Sequence, residues 1–470
     1  VVTAADPSTA PRQGNGAGLP ATLVGTIAAG TVLQALNAST MAVALVDIRE
    51  HFHGGAATTW LISVLYLATA VGSPTAGRLA DLFGARRVFL TALALTAVSS
   101  VASCLAPTLG WLIAFRALLG IGTCAAYPAG LALLRAEADR RGITLPATAL
   151  SVLAIGGQVM IAIGPVVGGF LVHLWGWRAI FAMNVPLAAG IGALALAVLP
   201  DDRRRPTTTA SKPLWRELDV VGAGVFAAFI SVLMLFLLSL AHRPNWWLVA
   251  ALLALAALLV GWELRAPTPF IDVRVLVRNR ALTATYLRTA LTYVAFYQVF
   301  YGLPAWAQTA RGLSPSAAGL VMLPMAVLAA ITVFGAGRLL RRTGYWPVLA
   351  AGSAVLLAGA TGLLHMHSAS SLLVVLAVAA LLGVPNGLNN IGNQSALYQQ
   401  AAAADTGIAS GLYRTSQYVG ANIAAAMIEL CFAGPASDPG LHRMAAAVAV
   451  ISVVLLAGAL LGSLRQRRLH

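Results

Sequence analysis

Gly77-Arg78-Leu79-Ala80-Asp81-Leu82-Phe83-Gly84-Ala85-Arg86-Arg87 joins two long apolar stretches, and a reduced copy, Gly337-Arg338-Leu339 with Gly344, joins another such pair. In both, the second glycine follows the first by seven residues. Glycine permits a tight turn that brings helix ends together, and Asp81 can meet a helix N-terminus or the neighbouring arginines. A charged turn that merely obeys topology is the plainer reading of the first stretch. The recurrence of the interval after a second apolar stretch points to two related halves.

Outward from these turns, apolar runs of about 20 residues recur along the whole length, each able to cross a hydrocarbon core of about 30 Å as a helix. Fourteen are counted, beginning near Thr22, Thr59, Val88, Thr108, Pro146, Trp177, Val220, Trp246, Leu282, Ser316, Pro347, Ser371, Thr406 and Met444. With 59% hydrophobic and 10% charged residues over 470 positions, the composition excludes a soluble globule, in which roughly a quarter of residues are charged.

The 30 Lys and Arg residues give the chain its direction. Twenty-two lie in alternate gaps between apolar runs, five in the intervening gaps, and Arg116, Arg288 and Arg414 inside the runs. Positive residues mark cytoplasmic loops, so both termini are expected in the cytoplasm. The polar first twenty residues, which carry no signal-peptide core, agree with that placement. The net charge of +15 does not indicate nucleic-acid binding, because the arginines are dispersed and never form a basic domain. Cys104, Cys124 and Cys431 lie far apart, without metal-site spacing, and read as packing residues. One Lys against twenty-nine Arg, with high Ala and Gly, points to a GC-rich bacterial genome.

These signals predict an all-α membrane protein of two six-helix bundles plus two extra central spans. The divisions are a cytoplasmic tail (1–21), an N-terminal bundle (22–199), a cytoplasmic linker (200–218), two additional helices (219–264), a C-terminal bundle (265–464) and a cytoplasmic tail (465–470). Two related bundles facing each other suit alternating access.

The Gly77–Arg87 turn closely resembles the cytoplasmic loop motif of the major facilitator superfamily. The resemblance implies that fold and a latch between its halves formed by Gly77, Asp81, Gly84, Arg86 and Arg87. Gly164-Pro165-Val166-Val167-Gly168-Gly169 resembles the superfamily's antiporter motif. Pro165 removes a helix hydrogen bond, and Gly164 and Gly168 allow close helix contact; ordinary membrane-helix packing is the plainer reading of the same residues. Trp177-Arg178-Ala179-Ile180-Phe181 with Asn184-Val185-Pro186, and Leu313-Ser314-Pro315 with Leu323-Pro324, resemble the fourteen-span drug/proton antiporter branch.

In span one that branch typically has Asp where this chain has Asn37. An amide cannot take up and release a proton at physiological pH, so Asp47, towards the extracellular end, becomes the candidate proton site, with a solvated helix end as the other reading. Asn37 and Arg116 are expected at similar depth, within hydrogen-bonding reach across spans one and four. Span thirteen carries a polar stripe of Ser410, Arg414, Gln417 and Asn422, and span twelve places Asn386, Asn390 and Asn393 at the same step. Span nine has an Arg288 face with Thr285 and Thr292, and a roughly opposite face of Tyr286, Tyr293, Tyr297 and Tyr301. The Arg288 face is assigned to the aqueous path and the tyrosines partly to packing, although Arg288 can also snorkel to the surface.

The expected protein is a bacterial inner-membrane exporter of a small organic molecule, a monomer in the lipid bilayer using protons as coupling ion. Asn37, Arg116, Gln158, Arg288, Asn386, Asn390, Arg414 and Gln417 form its cavity. The alternative is a carrier of anionic or neutral solutes without obligatory proton coupling, holding its cargo through the buried arginines. No phosphate-binding loop, HExxH pair or nucleophile elbow indicates an enzyme, and no cofactor or metal is expected.

Overall fold

The turns at Gly84 and Gly344 have φ of 98° and 77°, the left-handed region that glycine enters without penalty. Each ends one long helix and begins the next, so the two copies of the sequence motif adopt the same backbone geometry. The computed structural model describes residues 19–201, 219–240, 244–267, 269–271, 273–401 and 406–467.

The first group of helices is α1 (Ala21–Phe52), α2 (Trp60–Phe83) after a 3-10 turn at Gly55–Thr59, α3 (Ala85–Cys104), α4 (Leu109–Arg140), α5 (Ala147–Trp175), α6 (Ala179–Ala182) and α7 (Asn184–Val198). Two further helices follow, α8 (Val220–Ser239) and α9 (Trp247–Glu263). The second group is α10 (Val273–Arg278), α11 (Arg280–Thr309), α12 (Pro315–Val321), α13 (Leu323–Thr343), α14 (Tyr345–Leu364), α15 (Leu372–Gln400), α16 (Thr406–Phe432) and α17 (Asp438–Arg467). Among the described residues, eleven helical segments are long and apolar enough to cross a membrane; α9 is apolar but shorter.

The single apolar runs expected from Trp177 and Ser316 are each broken once, at Met183 and Met322. Pro186 and Pro324 follow the breaks; each lacks the N–H that a continuous helix needs and crowds the carbonyl four residues before it.

Within the first group, α1 packs on α5, and α4 on α2 and α3; within the second, α11 packs on α16, α13 on α15, and α14 on α15 and α17. The groups meet where α5 crosses α12 and α13, where α2 meets α16, and where α1 meets α11. The α8–α9 pair lies beside the α2–α16 contact, with Phe226 and Ile230 of α8 clustered with Ala70 of α2 and Tyr418 and Val419 of α16.

The cores differ between the two ends of the molecule. At the arginine-poor end, one apolar core contains residues of both groups, including Met41 and Ile48 of α1, Leu303 and Trp306 of α11 and Met444 of α17. At the arginine-rich end the groups keep separate cores, one around Ile27, Phe89 and Leu133 and the other around Leu282, Leu397 and Leu412. The bundles thus share one core at the arginine-poor end and keep separate cores at the other, where the small α2–α8–α16 cluster still bridges them.

Candidate functional site

Helix α11 positions the centre of the junction. It starts at the arginine-rich end, where Asn279 caps it by accepting from the Leu282 amide at 3.0 Å, and Tyr293, Tyr297 and Tyr301 recur every four residues along one face. Tyr301 donates to the Ala38 carbonyl of α1 at 3.0 Å, and its hydroxyl lies 3.0 Å from that of Tyr66 on α2. The Tyr66 ring is 5.0 Å from Tyr297 and 6.1 Å from Tyr418 of α16, centroid to centroid. Tyr297 and Tyr301 therefore look onto the other bundle, whereas Tyr286 donates to the Ala409 carbonyl of α16 within its own.

Arg414, on α16, meets this aromatic group from the arginine-rich side. Its guanidinium carbon stands 4.2 Å from the ring centroid of Tyr127, which belongs to α4 of the first bundle. Tyr418 and Tyr293 are its other close neighbours. Arg414, Tyr127, Tyr293, Tyr297 and Tyr418 all keep part of their surface accessible. Gln34 of α1 donates to Thr69 of α2 at 3.3 Å and lies beside Tyr418. Gln417 stands beside Tyr413, one turn away on α16.

Arg288 belongs elsewhere. Its Nε donates to Asn393 of α15 at 2.6 Å, its Nη2 to Thr285 at 3.2 Å, and its guanidinium lies 5.2 Å from the Trp346 ring centroid. Thr285 in turn donates to Gln400 at 2.7 Å. This network lies within the second bundle, so Arg288 does not snorkel free. Asn386 lines a narrow, largely apolar crevice of about 10 Å3, also inside the second bundle between α11, α13, α14 and α15. Asn390 is half-buried on the same helix, and Gln158 is exposed on α5.

Asn37 and Arg116 do meet, though by a route the sequence does not disclose. Arg116 donates from Nη2 to the backbone carbonyl of Asn37 at 3.2 Å and from Nε to that of Leu61 at 2.6 Å, with Phe181 beneath it at 5.9 Å. The Asn37 side chain is occupied by Asn184 of α7: each amide donates to the other, at 2.9 and 2.8 Å, and Asn37 also donates to the Leu33 carbonyl at 2.8 Å. Both asparagines and Arg116 are at most 1% exposed. They hold α1, α2, α4 and α7 together, and Arg116 keeps one buried donor, Nη1, without a protein partner among the described residues.

In the Gly164–Gly169 segment, Gly164 and Gly168 let α5 lie against Ser39 and Thr40 of α1, and Ser39 donates to the Met160 carbonyl at 3.0 Å. Gly169 faces the Pro315 carbonyl of α12, while Gly319 of α12 faces the Pro165 carbonyl of α5. A Cβ on either glycine would collide with backbone, so the two helices cross at the shortest separation their chains allow.

In the loop motif, Gly77 lies over Pro128 of α4, and Arg86 donates to Asp201 and to the Leu196 carbonyl, both at 2.9 Å. These bonds tie the turn to the end of α7 in the same bundle. Arg87 is exposed; the Asp81 side chain is outside the described residues. Asp47 is half-buried near the arginine-poor end of α1, close to Glu50. Beyond it, Arg49 pairs with Glu429 of α16, which also accepts from Thr59 at 3.3 Å.

Three groups escaped the sequence reading as site residues: Asn184, the Arg49–Glu429 pair, and the aromatics Tyr66, Tyr127 and Tyr418. The tyrosine stripe on α11 was the available signal for the last, since a row of hydroxylated rings on a membrane helix needs polar or aromatic partners.

Two helical bundles fused at one end, with a polar and aromatic junction between them, define a multi-pass membrane transporter. The chain belongs to the Major Facilitator Superfamily, which matches residues 27–425. It is 36% identical over 409 residues to the uncharacterized MFS-type transporter YwoD of Bacillus subtilis (strain 168), covering 86% of this chain and 89% of that one. It is 27% identical to the tetracenomycin C resistance and export protein of Streptomyces glaucescens, covering 88% and 76%. The crystal structure of the nucleoside transporter NupG has the same fold, with a TM-score of 0.64 at 12% identity over 93% of this chain and 98% of that one. As a member of this family the protein is a transporter and not an enzyme.

Proposed function

We propose that the protein exports a small organic molecule across the bacterial inner membrane by alternating access in exchange for protons, as a monomer with both termini cytoplasmic. The observation that carries this reading is the asymmetry of the cores: the bundles share one core at the arginine-poor end and keep separate ones at the other, bridged there only by a small cluster among the described residues. With the arginine-rich end cytoplasmic, this is the state that accepts cargo from inside, and export follows when the outer junction parts. The name of the Streptomyces glaucescens relative, a resistance and export protein, supports the outward direction. Fourteen spans result when α9, α11 and α16 join the eleven most apolar segments; α11 and α16 are the helices that carry the polar face of the site. Asp47 is the acid proposed to exchange the proton.

A second reading is favoured by Arg414, which has no carboxylate partner among the described residues: a carrier of anionic or neutral solutes without obligatory proton coupling. Inverted membrane vesicles separate the two. Uptake that stops when the pH gradient is collapsed, and that Asp47→Asn uncouples, supports proton exchange. Uptake that survives collapse of the gradient but is lost in Arg414→Ala supports the second reading.

A further inference from the structure

The junction has an unusual chemical balance. Arg414 of α16 projects a guanidinium across to Tyr127 of the opposite bundle, and its near neighbours Tyr293 and Tyr418 are also phenols. No ion pair joins Arg414 to an acid among the described residues; the cross-bundle acid, Glu429, is engaged by Arg49. A guanidinium away from bulk water without an acid is tolerated best beside an anion or polar oxygen. Tyrosine faces alone would also attract a cation. Here Arg414 already covers the Tyr127 face, and a second cation would meet that uncompensated charge.

The rings also set a shape. Tyr66 packs on Tyr297 at 5.0 Å and on Tyr418 at 6.1 Å between centroids, and Tyr293 lies 5.8 Å from Tyr297. The rings therefore touch one another in this state, and a guest enters among them as the bundles part. They belong to three helices from both bundles, so the spacing between their faces changes when the bundles move. Offset ring stacking rewards a flat aromatic guest over an equally apolar but puckered one, and the phenol hydroxyls can serve hydroxyl or carbonyl groups on its edge.

We propose that this junction, formed by Arg414 with Tyr66, Tyr127, Tyr293, Tyr297 and Tyr418, binds a planar aromatic compound bearing an acidic oxygen, a carboxylate or an ionised phenol. The acidic oxygen meets Arg414 and the ring system enters among the tyrosines. This assignment rests on the reading of the chain as an exporter of small organic molecules, and gives that cargo its charge and shape.

The test is calorimetric titration of the full chain in lipid nanodiscs with three matched probes: 2-naphthoate, 2-naphthylmethylammonium and decalin-2-carboxylate. The expected result is at least tenfold tighter binding of 2-naphthoate than of either other probe. Arg414→Gln is expected to lose at least tenfold on 2-naphthoate and to abolish the preference for acid over amine, while Arg414→Lys keeps part of it. Tyr297→Leu is expected to narrow the gap between naphthoate and its saturated counterpart. The ranking on the unaltered protein decides the matter even if a variant fails to fold: an amine or a decalin acid that binds as well as 2-naphthoate overturns the proposal. So does a folded Arg414→Gln protein that retains the preference for acid. Selective binding of 2-naphthoate without its movement into inverted vesicles would leave the ligand assignment standing and defeat the export reading. Transport of another compound without selective naphthoate binding would do the reverse.

Discussion

Arg49, in the last turn of α1, closes on Glu429 near the end of α16, and the pair ties the first bundle to the second at the arginine-poor end. Arg49 also donates to the Gly434 carbonyl at 3.0 Å, so the link extends into the loop after α16. Loss of one partner from a fully buried pair costs about 3–5 kcal/mol. With the Arg49 side chain 25% exposed, solvent screening makes the loss here smaller. Glu429→Gln is expected to weaken closure at this end. In a cysteine-free background carrying Leu45→Cys, a thiol reagent applied from the arginine-poor side should label several-fold faster once Glu429 is neutralised. Unchanged labelling would show that apolar packing alone holds the seam.

The crossing of α5 and α12 provides a second, independent closure. Gly169 and Gly319 each face a carbonyl of the opposing helix, so a side chain on either forces the bundles apart at backbone level. Gly169→Val and Gly319→Val are each expected to reduce transport at least tenfold and to raise accessibility from the arginine-poor side. Gly157→Ala, whose new methyl meets nothing within 4 Å among the described residues, serves as the control and should transport normally. Equal effects from Gly157→Ala and Gly169→Val would point to a general dislike of bulk in α5.

The turns and helices were legible because their causes are local. Arg86 and Arg87 mark a side of the membrane, Gly84 and Gly344 mark the same backbone bend, and long apolar runs must become helices. Depth was legible too, because the rise per residue is fixed, and it brought Asn37 and Arg116 to one level. Azimuth was not. Arg288 and the α11 tyrosines occupy different faces of one helix, and nothing in the local sequence tells which face a neighbouring bundle covers. The partner of Asn37 lies on α7, 147 positions along the chain, and no spacing rule reaches that far. Glu429 lies near a helix end, and its pairing with Arg49 depends on how two bundles dock.

The Asn37–Asn184 pair makes a stability prediction of unusual sign. A typical intramolecular hydrogen bond contributes about 1 kcal/mol net, whereas a buried polar group left without its partner costs about 1–3 kcal/mol. Asn37→Leu and Asn184→Leu should therefore each destabilise the first bundle by about 1–3 kcal/mol, the stranded amide being the cause. The double substitution removes both ends of the exchange and should be less damaging than the sum of the two. Melting of the purified protein, followed by tryptophan fluorescence, completes the cycle. Strict additivity would mean that the two amides do not act as a unit.

Arg288 and Arg414 are both membrane-embedded arginines, and their surroundings predict opposite phenotypes. Arg288 spends its donors on Asn393 and Thr285 of its own bundle and stacks near Trp346; Arg414 reaches the opposite bundle. Arg288→Gln should lower the melting temperature, because Asn393 and Thr285 lose a charged donor, at about 1–3 kcal/mol for partly buried groups. The protein that remains folded should keep its substrate preference. Arg288→Lys should not restore stability fully, since an ammonium cannot reproduce the planar fork that serves two partners and a ring at once. Arg414→Gln should act on substrate binding with a smaller change in melting temperature. Comparing melting temperature with initial uptake per folded molecule for both variants distinguishes the roles. A normal melting temperature with altered substrate preference in Arg288→Gln would return that arginine to the transport path.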